Sequence, residues 1–238
     1  MTRRLRISPG LALGVVIVVM GLLNVLDIRV AHASLVAGPV VVAGLVAIAR
    51  LAGLSWAELG LGPGTWRPGL KWAGAAIAVV ALALAAAAAF PPTREAFRDT
   101  RYRLDWGGAL LTALAFIPIG TVLVEEIAFR GVLWGLLRRV WGTVTATVVS
   151  SALFGLWHVL PSLGLATDNE AITGTVGAGR SAQATTVLAT VLFTFAAGVV
   201  FCELRRRSGS VLASAGLHWA ANALSVLASA AVWAWGTR

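Results

Sequence analysis

The stretch VEEIAFRG at residues 124–131 places three ionisable side chains inside a long apolar run. An ionised group in hydrocarbon costs about 2.5–3.5 kcal/mol on insertion scales, so such groups normally face the interior of a helix bundle and have a partner. At 100° per residue, Arg130 lies about 40° from the face of Glu126 and about 140° from that of Glu125. We therefore expect Glu126 to pair with Arg130, which leaves Glu125 as the freer carboxylate and the candidate base. The alternative is an ionic cluster with only a structural role.

Two further apolar stretches contain polar side chains. FGLWH ends in His158, and HWAAN places His218 and Asn222 four residues apart on one helix face. Counting 1.5 Å per residue from the helix ends, Glu125, His158 and His218 lie at comparable depths of roughly 13–22 Å. A single intramembrane histidine is usually a packing residue, but two at similar depth can converge with a carboxylate in one cavity.

Hydrolysis of an amide is the reaction that needs a carboxylate, two imidazoles and a carboxamide. A carboxylate and one imidazole can orient and deprotonate a water molecule, while a second imidazole and an amide N–H can donate to the developing oxyanion. Alternatively, Glu, His and His can hold a zinc ion whose bound water attacks. The sequence has no H-E-x-x-H motif and no G-x-S-x-G motif, so a serine hydrolase is disfavoured and the other two mechanisms stay open.

The elements that must position these groups are membrane helices. Of the 238 residues, 58% are hydrophobic and 12% are charged, about half the charged fraction of soluble proteins. The mean hydropathy is +0.86, and several apolar runs approach or exceed the ~18–20 residues that span a bilayer. The net charge of +9 comes from short basic clusters between these runs, which indicates contact with membrane lipid rather than with nucleic acid.

We predict an all-α, polytopic transmembrane bundle of about seven helices. Their expected ranges are 11–26, 34–54, 70–90, 106–138, 143–160, 181–204 and 208–235. The tripeptide Ala31-His32-Ala33 is similar to a signal-cleavage site; cleavage there would leave six helices, although we favour an uncleaved first helix.

The chain divides into two regions in this prediction. Residues 1–105 hold the N-terminal membrane helices and an interfacial segment, and residues 106–238 hold the catalytic helix bundle. The segment 91–106 contains four arginines and is either an amphipathic stretch in the headgroups or a site of irregular topology. We expect the polar stretch 163–180 to be an exposed loop rather than a flap.

The distribution of Lys and Arg predicts the orientation. With a cytoplasmic N-terminus, eleven of these residues lie on the cytoplasmic side and seven on the other. Basic loops favour the cytoplasm, so we expect a protein integral to the cell membrane with its N-terminus in the cytoplasm.

The three polar stretches resemble, in order and spacing, the motifs E-E-x-x-x-R, F-x-x-x-H and H-x-x-x-N of the CAAX prenyl protease and bacteriocin-processing family, also named CPBP or Abi. Residues before 106 carry no motif, and the resemblance covers roughly residues 106–230. It implies an intramembrane endopeptidase, of either a glutamate-dependent or a metallo type, that acts on a membrane-bound, lipidated or hydrophobic peptide.

The resemblance also implies a role for each motif residue. Glu125 would activate the water with help from His158, while His218 and Asn222 would stabilise the oxyanion. In the metalloprotease form, Glu125, His158 and His218 would hold one divalent metal such as zinc. The remaining motif residues, which would support the site structurally, are Glu126, Arg130 and Phe154.

Two functions of other classes are also compatible with the sequence. A non-catalytic membrane immunity factor or scaffold would retain the polar cluster for helix packing. A transporter would use the same groups as a proton relay, but the chain shows no repeated halves of the kind common in transporters.

Overall fold

A computed structural model describes residues 7–30, 32–163, 165, 170–177 and 179–235. Every regular element in these residues is helical, which confirms the predicted all-α, polytopic bundle. The α-helices are α1 (Pro9–Arg29), α2 (Ala33–Leu51), α3 (Trp66–Ala89), α4 (Pro91–Arg94), α5 (Trp106–Leu111), α6 (Leu123–Glu125), α7 (Trp134–Trp157), α8 (Glu170–Val176), α9 (Arg180–Ser208), α10 (Val211–Trp219) and α11 (Ser225–Trp235).

Six segments among the described residues are long and apolar enough to cross a membrane. They are Pro9–Arg29, Ala33–Leu51, Pro63–Ala89, Trp106–Trp157, Arg180–Ser208 and Val211–Trp235. Each overlaps the corresponding predicted range. The fourth segment combines the predicted fourth and fifth helices.

The fourth segment, Trp106–Trp157, folds back on itself. Its 52 residues would extend about 78 Å as one straight helix, more than twice the thickness of the hydrocarbon core. At Gly142 the backbone leaves helical geometry, with φ 79° and ψ 177°, a conformation that glycine adopts without a Cβ clash. Across this bend the Ser150 hydroxyl donates to the Phe129 carbonyl oxygen over 3.0 Å. The segment is therefore a helical hairpin, and its two arms bring the helices to the predicted seven.

Parts of the hairpin and of the last segment are π-helical. These parts are Thr112–Val122, Glu126–Leu133 and Ala220–Leu224. The prediction of regular α geometry is wrong for them, because a motif such as E-E-x-x-x-R fixes residue types and not the pitch between them. π-helical turns are rare and frequently occur at functional sites, and two of the three contain motif residues.

The loop 52–62 closes the end of the bundle at which α2 and α9 end. The guanidinium of Arg205, which is buried, donates from Nη2 to the Glu58 carbonyl oxygen over 2.8 Å and lies 5.3 Å from the centre of the Trp134 ring. The Glu58 carboxylate pairs with Arg139 at 2.9 Å. Burial raises the pKa of Glu58, but hydrogen bonds within the loop and the Arg139 cation outweigh burial and hold it below its usual value. We name this end, with Arg50, Arg138, Arg139 and Arg205–Arg207, the arginine-rich end.

The opposite end carries the segment 91–106, which forms short helical turns rather than one amphipathic helix. Two of its arginines lie over tryptophan rings of α11: Arg94 is 5.2 Å from the centre of Trp235, and Arg103 is 4.9 Å from that of Trp233. Cation–π contacts of this kind stabilise by about 0.5–1 kcal/mol at exposed sites. The arginines are therefore engaged with the bundle.

Two predictions concern residues that the structure describes only in part. Of the stretch 163–180, the helix Glu170–Val176 is described, whereas residues 164, 166–169 and 178 lie outside the described residues. The choice between loop and flap therefore stays a prediction. The expectation that the chain is not cleaved at the A-H-A tripeptide likewise stays a prediction, because residue 31 also lies outside the described part.

Small residues bring α3 and α10 into close contact. A Cβ added at Gly216 of α10 would lie 2.5 Å from the Cβ and 2.8 Å from the Cα of Ala73, and one added at Gly69 would lie 2.6 Å from the Cβ of Ser210. Such contacts between small residues are typical of helix packing in membranes. The alanine-rich α3 thus fixes the position of α10, the helix that carries His218.

We predict that Gly216→Ala lowers the apparent Tm of the purified protein in detergent, because the added methyl group forces α3 and α10 apart. Overpacking of this kind costs about 1–3 kcal/mol. The matched control is Gly74→Ala: Gly74 lies on the exposed face of α3, and a Cβ there meets nothing within 4 Å. Equal Tm values for the two variants would contradict the proposed close contact.

Candidate active site

The Glu126–Arg130 ion pair lies at the centre of the bundle. Arg130 Nη1 is 3.2 Å from Glu126 Oε1, and the two side chains are 0% and 1% exposed, so the pairing expected from their spacing is confirmed. The Arg130 guanidinium also lies 3.9 Å from the centre of the Phe154 ring and 4.7 Å from that of Phe201. The two rings offer the cation a desolvated site with favourable electrostatics. Phe154 of the second motif thus contacts Arg130 of the first.

Glu126 also holds His218. Glu126 Oε1 lies 3.0 Å from His218 Nδ1. A carboxylate that is ionised opposite Arg130 can only accept a hydrogen bond, so Nδ1 carries the proton and donates. The imidazole stacks on Phe201 with a centroid separation of 5.2 Å and an interplanar angle of 23°. Two contacts thus fix the tautomer and the orientation of His218, and its Nε2 lies 3.7 Å from Glu125 Oε2.

Glu125 is buried, and only one of its two carboxylate oxygens accepts a hydrogen bond in the described part of the chain. Its Oε1 accepts a hydrogen bond of 2.9 Å from the indole Nε1 of Trp157. Its Oε2 is buried and accepts no hydrogen bond within the described part of the chain, since 3.7 Å to His218 exceeds hydrogen-bond length. A buried oxygen without a partner costs about 1–3 kcal/mol or more. The chain therefore orients this carboxylate through one oxygen and leaves the other one available.

A cavity of about 590 Å³ borders the Glu125 carboxylate, and we name it the polar cavity. It is lined by residues of α1, the start of α2, the hairpin, the chain after α7 and the last apolar segment. Among them are Asn24, Asp27, Glu125, Trp157, His158 and Asn222. Three of the four predicted catalytic residues therefore share one cavity.

A second space of about 290 Å³ adjoins the polar cavity. His158, His218 and Asn222 line it together with apolar side chains of α9 and α10, among them the exposed Phe193. We name it the apolar cleft. His158 and Asn222 belong to both walls, and His158 Nδ1 contacts the Phe154 carbonyl oxygen at 2.8 Å, so in the neutral ring Nε2 is the acceptor.

A family model described as type II CAAX prenyl endopeptidase Rce1-like matches residues 105–224, about half of the chain. The match includes all three motifs and every residue of the Glu125–Glu126–His218 constellation. The chain belongs to this family. The predicted resemblance is confirmed, and the CAAX endopeptidase family supports a membrane-bound, CAAX-protease-like enzyme. No curated protein and no solved structure matches the chain.

In this member of the CAAX endopeptidase family, the His218 imidazole makes a close contact with the Glu125 carboxylate. The resemblance implies that His158 assists Glu125; His158 lies in the wall of the same cavity, whereas His218 lies 3.7 Å from the carboxylate. The geometry also adds a task to Glu126, which orients His218 besides pairing with Arg130.

The metal ligands predicted for the alternative mechanism do not converge. Within the described ranges no group of three His, Cys, Asp or Glu side chains is arranged to hold a metal ion. His158 and His218 each contact another protein group through Nδ1, which leaves Nε2 of each ring and Oε2 of Glu125 as the atoms that could hold a metal. The metal alternative therefore stays a prediction, and the mechanism proposed for this site uses protein groups alone.

Trp157 is a site residue that the motifs do not indicate. It occupies a variable position of F-x-x-x-H, directly before His158, and donates its indole N–H to Glu125. Its carbonyl oxygen accepts from Asn24 Nδ2 of α1 over 2.8 Å. A buried tryptophan usually finds a partner for its N–H, but the sequence has ten tryptophans and does not show which one meets a carboxylate.

We predict that Arg130→Gln strongly destabilises the protein, because it leaves the buried Glu126 carboxylate without its cation. Breaking a buried pair from one side costs about 3–5 kcal/mol, to be measured as a loss of apparent Tm or of folded protein in detergent. The control is Arg139→Gln at the exposed pair with Glu58, where the side chains are 37% and 39% exposed and the expected loss is about 1 kcal/mol or less.

A double variant separates charge from shape. Replacing Glu126 by Gln together with Arg130→Gln removes both charges and should recover part of the lost stability. If the double variant is less stable than Arg130→Gln alone, the unpaired charge is not the cause.

Proposed function

We propose that this member of the CAAX endopeptidase family hydrolyses a peptide bond with a water molecule that Glu125 activates. One observation carries the proposal: Trp157 orients the Glu125 carboxylate through Oε1, its buried Oε2 accepts no hydrogen bond from the described chain, and Glu125 lines the polar cavity. A general base needs this combination of fixed orientation and a free lone pair within reach of its proton.

In the first step, water donates a proton to Glu125 Oε2 as its oxygen attacks the carbonyl carbon of the scissile peptide bond. His158 assists by accepting a hydrogen bond at Nε2 from the other O–H of this water, whose hydrogen stays on the attacking oxygen; Nε2 is the unprotonated ring nitrogen when Nδ1 donates to Phe154 O. The carbonyl π electrons move to the oxygen, which becomes an oxyanion.

The oxyanion is stabilised by two donors. In this proposal His218 donates from Nε2 in the doubly protonated ring, whose Nδ1 donates to Glu126, and Asn222 donates from its amide. Preorganised donors at an oxyanion contribute about 2.7–4 kcal/mol each to the transition state. The oxyanion then collapses, the C–N bond breaks, and Glu125 returns its proton to the leaving nitrogen, which yields a carboxyl end and a free amine.

The substrate in this proposal is a membrane-bound, lipidated or hydrophobic peptide. The apolar cleft adjoins the polar cavity at His158 and Asn222, so one substrate can contact apolar side chains and the reacting groups together. Membrane lipid surrounds the six apolar segments, and the N-terminus is proposed to be cytoplasmic in the cell membrane. A zinc ion on Glu125, His158 and His218 is the competing mechanism.

We predict that Glu125→Gln abolishes cleavage of a fluorogenic peptide library by protein reconstituted in liposomes. Loss of a general base costs about 10²–10⁴ in rate, whereas folding should persist because Gln can still accept from Trp157. The control is Glu58→Gln at the arginine-rich end. A parallel reaction with EDTA distinguishes the mechanisms: activity that persists supports water activation by protein groups alone, and activity lost with EDTA and restored by zinc supports the metal alternative.

A non-catalytic immunity factor or scaffold gives a different result in the same experiment. No peptide is then cleaved, and any cellular phenotype follows the amount of protein and ignores Glu125→Gln. Cleavage by Glu125→Gln at the wild-type rate would rule out the mechanism proposed for Glu125.

We predict that Trp157→Phe lowers kcat about tenfold with little change in KM. The variant keeps an aromatic ring but removes the N–H that orients the base, and a hydrogen bond to a charged group contributes about 1.5–3 kcal/mol. Trp134→Phe is the matched control, because it removes an indole N–H that donates to the Thr147 hydroxyl over 3.2 Å, away from the carboxylates. That variant should lose stability and keep kcat; a purely structural Trp157 would give the same pattern as Trp134.

A further inference from the structure

The polar cavity extends toward the end of the bundle opposite the arginine-rich end. There it adjoins a pocket of about 410 Å³ at the start of α2, and Ser34, Tyr102 and Thr121 line both spaces. The combined space is thus lined by Glu125 and His158 and by residues of the loops that connect the helices, Tyr102 and Leu104 among them.

The described side chains that line this space include carboxylates and no Lys or Arg, whereas the chain as a whole has a net charge of +9. The sequence contains 19 Lys and Arg against 10 Asp and Glu. The described lining residues of the two spaces nevertheless include the carboxylates of Asp27 and Glu125 and no Lys or Arg. Carboxylates in a low-dielectric wall concentrate a negative potential, so the wall favours a cationic occupant over an anionic one.

Asp27 has a structural task that does not need its charge. Its Oδ1 accepts a hydrogen bond of 2.7 Å from the backbone N–H of Ser34 in the first turn of α2. Asparagine satisfies helix N-terminal N–H groups about as well as aspartate. The hydrogen bond with Ser34 therefore does not require the negative charge of Asp27.

Asp27 also lines the same cavity as the reacting groups Glu125, His158 and Asn222. Asn24, three residues and about 4.5 Å earlier on α1, donates to the carbonyl oxygen of Trp157, and the indole of Trp157 donates to Glu125. Because Asp27 and Glu125 line one cavity, a cation at Asp27 and a scissile bond at Glu125 can belong to the same bound peptide.

We propose that Asp27 is the anchor of a substrate-binding subsite that takes a cationic group of the peptide, either a Lys or Arg side chain or an N-terminal amine. The inference rests on the proposed peptidase function. It identifies the substrate class as peptides with a positive charge near the scissile bond, and it disfavours peptides with an anionic group there.

The test uses protein reconstituted in liposomes of uncharged phosphatidylcholine, so that the membrane surface does not itself attract cationic peptides. Three fluorogenic peptide libraries carry Lys, Gln or Glu at the positions that flank the scissile bond. We expect wild type to cleave the Lys library with a kcat/KM about tenfold above that of the Gln library, the equivalent of one charge-assisted hydrogen bond, and the Glu library least.

Asp27→Asn should reduce cleavage of the Lys library to the level of the Gln library and leave the Gln library unchanged. The matched control is Asp105→Asn. Asp105 Oδ1 accepts from the Gly108 N–H at 2.7 Å as a helix cap of the same kind, but Asp105 lines neither space. This control should retain the wild-type preference.

Three outcomes would overturn the subsite: equal cleavage of the Lys and Gln libraries by wild type, an unchanged preference in Asp27→Asn, or an equal loss on all libraries in that variant. Fluorescence anisotropy of the labelled Lys and Gln peptides separates this failure from that of the proposed function. Tighter binding of Lys peptides that disappears in Asp27→Asn, without cleavage by wild type, would refute the peptidase and retain the subsite.

Discussion

The Glu126 carboxylate is the group on which the arrangement of the site depends. Two charges in a bundle that excludes water are tolerated only when each offsets the other, and Arg130 satisfies this condition at 3.2 Å with both side chains buried. The same carboxylate oxygen accepts from His218 at 3.0 Å. One oxygen thus connects the hairpin to α10, so the helix packing and the orientation of the imidazole cannot be changed independently.

The two adjacent glutamates consequently differ in what they can do. Each has a buried Oε2 that accepts no hydrogen bond in the described part of the chain. Glu126 binds a cation and an imidazole through Oε1, whereas Glu125 accepts only from Trp157 and, unlike Glu126, lines the polar cavity. Adjacent residues on a helix point to different sides. For this reason the structural carboxylate of Glu126 and the reactive one of Glu125 can be neighbours in the sequence.

The bundle is asymmetric from end to end. At the arginine-rich end the loop 52–62 packs against the hairpin: a Cβ added at Gly131 would lie 3.3 Å from the Leu59 carbonyl oxygen. Arg205 holds this loop by donating to the Glu58 carbonyl oxygen. At the other end, α1, α2 and the segment before α5 surround the polar cavity. Asp27 therefore lies at the end of the bundle opposite the arginine-rich end, in the wall of the cavity that also contains Glu125.

The sequence by itself determined the class of the protein, the approximate ranges of its helices and the identity of the polar residues. Hydropathy and length suffice for the helices, since spanning a bilayer is a local requirement. The Glu126–Arg130 pair also follows from a separation of four residues, as neighbours on one helix face meet whatever the tertiary fold. The family motifs are likewise visible in the linear sequence.

Only the tertiary structure decided which groups meet across helices. The contacts of Glu125 with Trp157, of Glu126 with His218 and of Asn24 with the Trp157 carbonyl join residues 32, 92 and 133 positions apart. Such contacts depend on helix rotation and on the close approach of backbones, as at Gly216 and Ala73, and a single sequence records neither. The pitch of the π-helical turns was undetermined for the same reason, because packing selects among backbone geometries that one sequence allows.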